Sequence, residues 1–238
     1  MYLLVMTEWK KRNSTLEFKS DEVHVWRAAL NLSEEKLSTL KRTLSTDEIT
    51  RAQRYGTKKL QTNFIAARGQ LREILSLYLS TAPGEIEFGL SEYDKPFIKN
   101  PGAPKFNISH SGALMIVAVS EKTEVGIDIE IERESIDFIK LSRRFFSPAE
   151  AGRIKDTESD KRKEIFFKTW TKKEAYVKAV GKGLRIPLAS FSVNPDVNET
   201  VTSSEGIVYS LAEVNAGEGY SAAVAVRDKK IKLKLLDF

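Results

Sequence analysis

The chain reads as an α+β protein, a pseudo-dimer of two similar α+β halves, each a small antiparallel sheet packed against a long helix. Three observations predict this. Ser45-Thr46-Asp47-Glu48 and Ser147-Pro148-Ala149-Glu150 are both Ser-x-x-Glu capping boxes, and their serines stand 102 positions apart. In such a box the hydroxyl and the carboxylate satisfy free N–H groups at a helix start. Val23-His24-Val25-Trp26 and Val125-Gly126-Ile127-Asp128 repeat at the same offset as strand-like runs. Each half then passes through a longer helical segment and reaches an apolar strand, Ala113–Val119 in one and Tyr220–Val226 in the other. A shared order of elements at one offset argues for duplication rather than chance. The halves divide as 1–119 and 120–238, closely packed as one unit.

The opening Met1-Tyr2-Leu3-Leu4-Val5-Met6 is too short for a signal-peptide core and runs into Glu8, so it reads as an edge strand or a tucked terminus. After the first capping box, Phe64, Leu71, Ile74, Leu75, Tyr78 and Leu79 recur at helical spacing. Glu92-Tyr93-Asp94-Lys95-Pro96 reads as a turn, and Phe106-Asn107-Ile108-Ser109-His110-Ser111-Gly112 as a segment ending in a turn before the next strand. In the second half Pro148 suits the first helical position, where its missing N–H costs little. Phe166, Trp170, Val177 and Val180 give the stripe of the second long helix, and Gly181-Lys182-Gly183-Leu184 its stop. This glycine pair lacks the full phosphate-loop pattern.

At 238 residues the chain is long enough for a substantial core, and 41% apolar against 30% charged residues places it among globular chains. No apolar run approaches the roughly 20 residues of a membrane span, so no membrane partner is expected. The absence of cysteine excludes disulfides, thiolate metal sites and cysteine nucleophiles. A cytoplasmic location is the default expectation. The net charge of +5 favours anionic partners. No recognition helix, zinc finger or basic-aromatic repeat appears, so nucleic acid is not expected among them.

Asp128 and Glu130 alternate with Ile127, Ile129 and Ile131 and share one strand face. Such a pair is either the wet face of a half-exposed strand or a site for a divalent cation with oxygen ligands. By the repeat, Trp26 and Ala28 hold the equivalent places, so any such site exists once, in the cleft between halves. Further on, Glu174 belongs either to a capping pattern, Thr171-Lys172-Lys173-Glu174, or to the same metal site. Thr171, Glu174 and Lys178 lie on one helix face, where Lys178 can meet a phosphate oxygen. Ser109 and His110 are either turn residues or an anion clamp. A Ser–His hydrolase is rejected, because sequence neighbours rarely reach nucleophile–base geometry and no Gly-x-Ser-x-Gly elbow is present. Lys95 is either solvated or a phosphate contact.

Taken together, Phe106-Asn107-Ile108-Ser109-His110-Ser111, Gly126-Ile127-Asp128-Ile129-Glu130, Trp170-Thr171-Lys172-Lys173-Glu174-Ala175-Tyr176-Val177-Lys178 and Gly181-Lys182-Gly183-Leu184 resemble the phosphopantetheinyl transferases of the Sfp type, with Tyr93-Asp94-Lys95-Pro96 as the upstream element. The resemblance spans roughly Ser45 to Val193. The duplicated halves supply the interface that a smaller enzyme would build by oligomerising, so a monomer is expected. The resemblance implies a pseudo-dimer that transfers the 4′-phosphopantetheine arm of coenzyme A to a serine of an apo-acyl or peptidyl carrier protein. The product released is adenosine 3′,5′-bisphosphate. It implies Asp128, Glu130 and Glu174 as ligands of Mg²⁺ (Mn²⁺ as the alternative ion), Ser109 and His110 as coenzyme A phosphate contacts, and Lys95 and Lys178 as phosphate-binding lysines. Arg51 sits where a basic residue often contacts the nucleotide. Family members often carry an arginine just before the Phe64 position; here Asn63 stands there, with Arg54 or Arg68 as the compensating cation. Glu174 is the favoured general base, with Lys178 beside it in the catalytic role. Phe138–Phe146, basic and apolar, is expected to receive an acidic carrier helix. The rival reading is another Mg²⁺-dependent phosphoryl-transfer enzyme or phosphatase.

Overall fold

A computed structural model of the chain describes all residues except 1–3, 6–7, 12–15, 17 and 229–231. In the first half, β3 (Glu22–Ala29) leads into α1 (Glu34–Lys41), α2 (Thr46–Gln53) and the long α3 (Lys58–Ser76). A small hairpin, β4 (Phe88–Leu90) and β5 (Pro96–Ile98), precedes β6 (Lys105–Ser111) and β7 (Leu114–Ser120). In the second half, β8 (Val125–Ile131) is followed by α4 (Phe138–Phe145), α5 (Pro148–Asp156) and the long α6 (Ser159–Val180). After it come β9 (Glu199–Thr202), β10 (Val208–Glu213) and β11 (Tyr220–Val226).

The duplication is visible in the pairing. β3–β7–β6 and β8–β11–β10 are antiparallel sheets with the same strand order, and β9 extends the second beyond β10. Both predicted capping boxes are present: Ser45 with Glu48 at the start of α2, and Ser147 with Glu150 at the start of α5.

The final strand, β12 (Lys232–Asp237), returns to the first half and lies parallel to β3. On its far side run β1 (Leu4–Val5) and β2 (Lys10–Lys11), both parallel to β12. The first sheet is therefore a mixed one, its antiparallel part extended by parallel strands. Leu4 and Val5 thus occupy the expected edge; Met1–Leu3 and Met6 lie outside the described residues.

Strand alternation sorts the side chains into layers. One face of each sheet meets the other, with Val23, Val25, Ile116 and Ala118 packed against Ile127, Ile129, Ala222 and Val224. The outer face of the first sheet carries Trp26, Met115 and Val117 against Leu71, Ile74 and Leu75 of α3. The outer face of the second carries Ala223, Ala225 and Leu211 against Ala175, Tyr176 and Ala179 of α6. Gly126 allows α6 to come close: a Cβ there would stand 2.1 Å from the Ala175 carbonyl oxygen and 2.3 Å from the Ala179 nitrogen. α6 ends at Gly181, whose φ of +79° suits the left-handed C-cap that glycine adopts without strain.

Two local expectations are corrected. Ser109–Ser111 are strand residues, and the turn is confined to Gly112 and Ala113. Thr171–Glu174 is not a cap: α6 began at Ser159, and the Thr171 hydroxyl donates back to the Phe167 carbonyl in mid-helix at 3.0 Å.

Candidate active site

The two halves meet where β6 runs beside β8, and side chains make the join. Asn107, Ser109 and Ser111 alternate on one face of β6. Asn107 Oδ1 accepts from the Ile127 N–H at 2.8 Å, and Ser111 Oγ from the Ile131 N–H at 3.1 Å. Between these two ties, Ser109 Oγ donates to Asp128 Oδ1 at 2.9 Å, while Ser111 Oγ donates to Glu130 Oε2 at 2.9 Å. Ser111 and Asn107 were quoted in the motif without a role; their period-two spacing with Ser109 was the available signal.

Asp128 and Glu130 share the face of β8 that looks toward α6, as their alternation predicts. From α6, Lys178 Nζ donates to Asp128 Oδ1 at 2.6 Å, to Ser109 Oγ at 3.0 Å and to the Ile127 carbonyl at 3.3 Å. Asp128 is 4% exposed, and its second oxygen, Oδ2, is buried without a hydrogen-bond partner. Such an atom is costly to keep unless something absent from the protein chain meets it. Glu130 is pushed above the usual carboxylate range, by burial first and by the Asp128 charge second. Glu174 is pushed the same way by burial and then Asp128, with Lys178 opposing and Glu130 adding. Three carboxylates therefore press on one another around a single ammonium. His110, at the exposed end of β6, is held below the ordinary imidazole range, by desolvation first and the Lys178 charge second.

Beside this cluster lies a cavity of about 600 Å³, bounded by Glu174 and Lys178 at its polar end and by Phe145, Trp170, Ile186, Pro187 and Leu188 along an apolar wall. Lys95 also borders it, but its ammonium is engaged by Glu124 Oε2 at 2.8 Å and by the Val125 and Ala179 carbonyls at 3.1 and 3.4 Å. It ties the ends of β8 and α6 together.

The three arginines fall elsewhere. Arg51 and Arg68 line a separate cavity of about 540 Å³ with Phe64, Phe88 and Lys99. Arg68 and the buried Arg72 both pair with Glu48, and burial lowers the Arg68 pKa in spite of that carboxylate. Burial raises Glu48, but Arg68 and then Arg72 outweigh it, leaving it below the usual range. Arg51 lies over the Phe64 ring at 5.5 Å. Arg54 is the exposed C-cap of α2.

Among the described residues, no group of three or more Asp, Glu or His side chains is gathered closely enough to hold a metal ion by itself. The orphaned Asp128 oxygen and the crowded carboxylates nonetheless suit a hard cation whose shell is completed by substrate phosphate and water.

Two fused α+β halves thus bring an acidic strand face and a lysine together at their joint. Comparison with known proteins agrees. Residues 124–225 match the model of the 4′-phosphopantetheinyl transferase superfamily, and residues 28–122 that of the 4′-phosphopantetheinyl transferase N-terminal region. The chain is 36% identical over 221 residues to the 4′-phosphopantetheinyl transferase HetI of Nostoc sp. (strain PCC 7120), covering 92% of this chain and 93% of the relative. It is 35% identical over 123 residues to the 4′-phosphopantetheinyl transferase Sfp of Bacillus subtilis, covering 52% and 54%. It is 38% identical over 131 residues to the 4′-phosphopantetheinyl transferase gsp of Aneurinibacillus migulanus, covering 55% and 53%. The chain belongs to the 4′-phosphopantetheinyl transferase superfamily.

Proposed function

We propose that this chain transfers the 4′-phosphopantetheine arm of coenzyme A to the serine hydroxyl of an apo-acyl or peptidyl carrier protein. The observation that carries the reading is the convergence of Lys178, Ser109 and Asp128 from both halves, with one Asp128 oxygen left unpaired. The carrier serine oxygen attacks the phosphorus that bears the arm. A serine–phosphorus bond forms, the pyrophosphate P–O bond breaks, and adenosine 3′,5′-bisphosphate leaves with the bond's electron pair.

Lys178 presents a fixed charge where negative charge grows, a role that needs no reorganisation during the reaction. Ser109 holds Asp128 in place, and His110, the next residue of β6, serves as an anion contact from the other face of that strand. Asp128, Glu130 and Glu174 are the residues that would hold Mg²⁺ or Mn²⁺. When bound, that ion would neutralise pyrophosphate charge. Glu174, one turn from Lys178 on α6, takes the serine proton. The apolar cavity beside Lys178 receives the arm. Arg51, Arg54 and Arg68, far along the first half, serve the nucleotide end, and Lys95 supports it indirectly through the end of α6. The enzyme works as a monomer, because its fused halves already bury the interface a smaller unit would need.

The carrier docks on α4. Arg143 and Arg144 are exposed there, and Phe145 borders the cavity for the arm. Phe138 and Phe146 are not available to it, being packed on Phe166. Reversing both arginine charges should raise KM for an acidic carrier at low ionic strength and leave KM for coenzyme A unchanged. An unchanged carrier KM would remove α4 as the docking face. The function itself is tested by mass spectrometry of an apo-carrier incubated with coenzyme A, with and without chelator. A gain of one phosphopantetheine arm that chelator abolishes is expected; no gain across a panel of apo-carriers would overturn the reading.

A further inference from the structure

Lys172 and Lys173 are neighbours in sequence, yet both are wholly buried, at 1% and 0% exposure. Both stand in the Trp170–Lys178 motif, but no sequence signal assigned either of them a role. Successive helical residues diverge around the axis, so the two ammonium groups reach different parts of the segment that follows α6. Lys173 Nζ donates to the Leu188 and Phe191 carbonyls at 2.8 and 2.5 Å and pairs with Glu150 Oε2 at 2.8 Å. Lys172 Nζ donates to the carbonyls of Asn194, Pro195 and Val197 at 2.7, 3.3 and 2.8 Å.

A buried ammonium is expensive, and an apolar side chain of similar size is often as stabilising or more so. What charge adds here is geometry. Residues 186–198 contain one short 3-10 turn, Leu188–Ser190, and otherwise no regular structure to fix their path. The two lysines staple that path to α6 at two points. One staple matters to the site: Leu188, held by Lys173, lines with Ile186 and Pro187 the same cavity as Glu174 and Lys178. The carbonyls held by Lys172 lie further along the chain, and their residues do not line that cavity.

We infer that Lys173 is a positioning residue for the transfer reaction, setting the Ile186–Leu188 wall against which the arm of coenzyme A lies, while Lys172 anchors the later part of the same segment and serves stability alone. The inference rests on the transferase reading above. A wall that touches the arm equally before and during reaction affects KM and leaves kcat nearly unchanged.

The experiment compares Lys173→Met with Lys172→Met in the full-length chain, measuring thermal stability, KM for coenzyme A and kcat with one apo-carrier. Both variants should melt earlier. Lys173→Met should raise KM for coenzyme A about ten-fold at nearly constant kcat, and Lys172→Met should leave KM within two-fold of the parent. Equal KM effects in the two variants, or an unchanged KM in Lys173→Met, would overturn the assignment. If Lys173→Met does not fold, Pro187→Gly decides in its place, since it loosens the wall without stranding a buried charge. A raised KM there supports the role of the wall and an unchanged one refutes it. Failure of the parent chain to modify any carrier would refute the transferase reading instead, so the two failures are distinct.

Discussion

At the scale of single residues, Lys178 and Glu174 sit one helical turn apart, and the duties proposed for them are separable. Lys178→Met removes the only cation touching Asp128 among the described residues and leaves a carboxylate 4% exposed with one oxygen already unpartnered. By analogy with lost electrostatic stabilisers, kcat should fall by about 10² to 10³. Glu174→Gln keeps the shape and removes the base, so coenzyme A binding should persist while kcat falls to a similar degree. Isothermal titration beside single-turnover kinetics checks both, and a Glu174→Gln variant transferring at the parent rate would remove Glu174 as base. A second residue acts on stability rather than catalysis. His24 is buried; Tyr78 Oη accepts from Trp26 Nε1 at 2.7 Å and meets His24 Nδ1 at 2.8 Å, while Nε2 makes no hydrogen bond and stands 3.6 Å from Glu22 Oε2. Burial first, and the Lys234 charge second, lower the His24 pKa from 6.5 to about 4. The folded state therefore favours neutral imidazole. Its stabilisation is complete above the unfolded pKa and is lost as pH falls from 6.5 through about 4, by roughly 3 kcal/mol in total. Urea unfolding between pH 7 and 4 should show that slope, and His24→Phe should flatten it; an unchanged slope in the variant would assign acid lability to other groups.

Elements differ in how far the sequence exposes them. The capping boxes and the β8 alternation were legible because their contacts lie three residues apart or follow a period of two. The Thr171–Glu174 pattern kept a cap open as an alternative for the same reason. It is locally complete, and only the start of α6 at Ser159, with a Glu158 N-cap that makes no side-chain bond, shows it to be helix interior. The burial of Lys172 and Lys173 was invisible, since their partners are carbonyls of a later segment with no pattern of its own and, for Lys173, a Glu150 whose capping box already accounted for it. Gly126 is the test of how β8 and α6 fit. A Cβ there would stand far inside contact distance of α6 backbone, which cannot turn aside as a side chain can. Gly126→Ala should therefore push α6 away from β8, destabilise by about 3 kcal/mol or more, and move Lys178 off Asp128. A lower denaturation midpoint with reduced kcat is expected. Parent-like values of both would mean that the two elements are not held at this spacing.

Over the whole molecule, the duplication explains why one reaction centre is proposed. Trp26 stands at the place of Asp128 and is fully buried against α3, so the first half has spent the equivalent face on core. That half lends Asn107, Ser109 and Ser111 across the join instead. The repeat was readable because each half keeps its own local signals. The return of β12 was not, because Leu233 and Leu235 alternate with lysines in a way that fits the edge of either sheet. Its placement makes the halves interdependent. Leu233 and Leu235 fill the core between the two sheets and Leu236 the core under α3, all at most 3% exposed. Losing a buried leucine costs about 2–5 kcal/mol, so removing three approaches or exceeds the roughly 5–15 kcal/mol that holds a typical domain. Deleting residues 232–238 also strips β3 of its parallel partner and leaves β1 and β2 with nothing to pair on. The truncated chain should lose its cooperative urea transition and its transfer activity together, although every residue of the reaction centre remains. A truncated chain that unfolds at the parent midpoint would mean that the first half closes its core without the C-terminal strand.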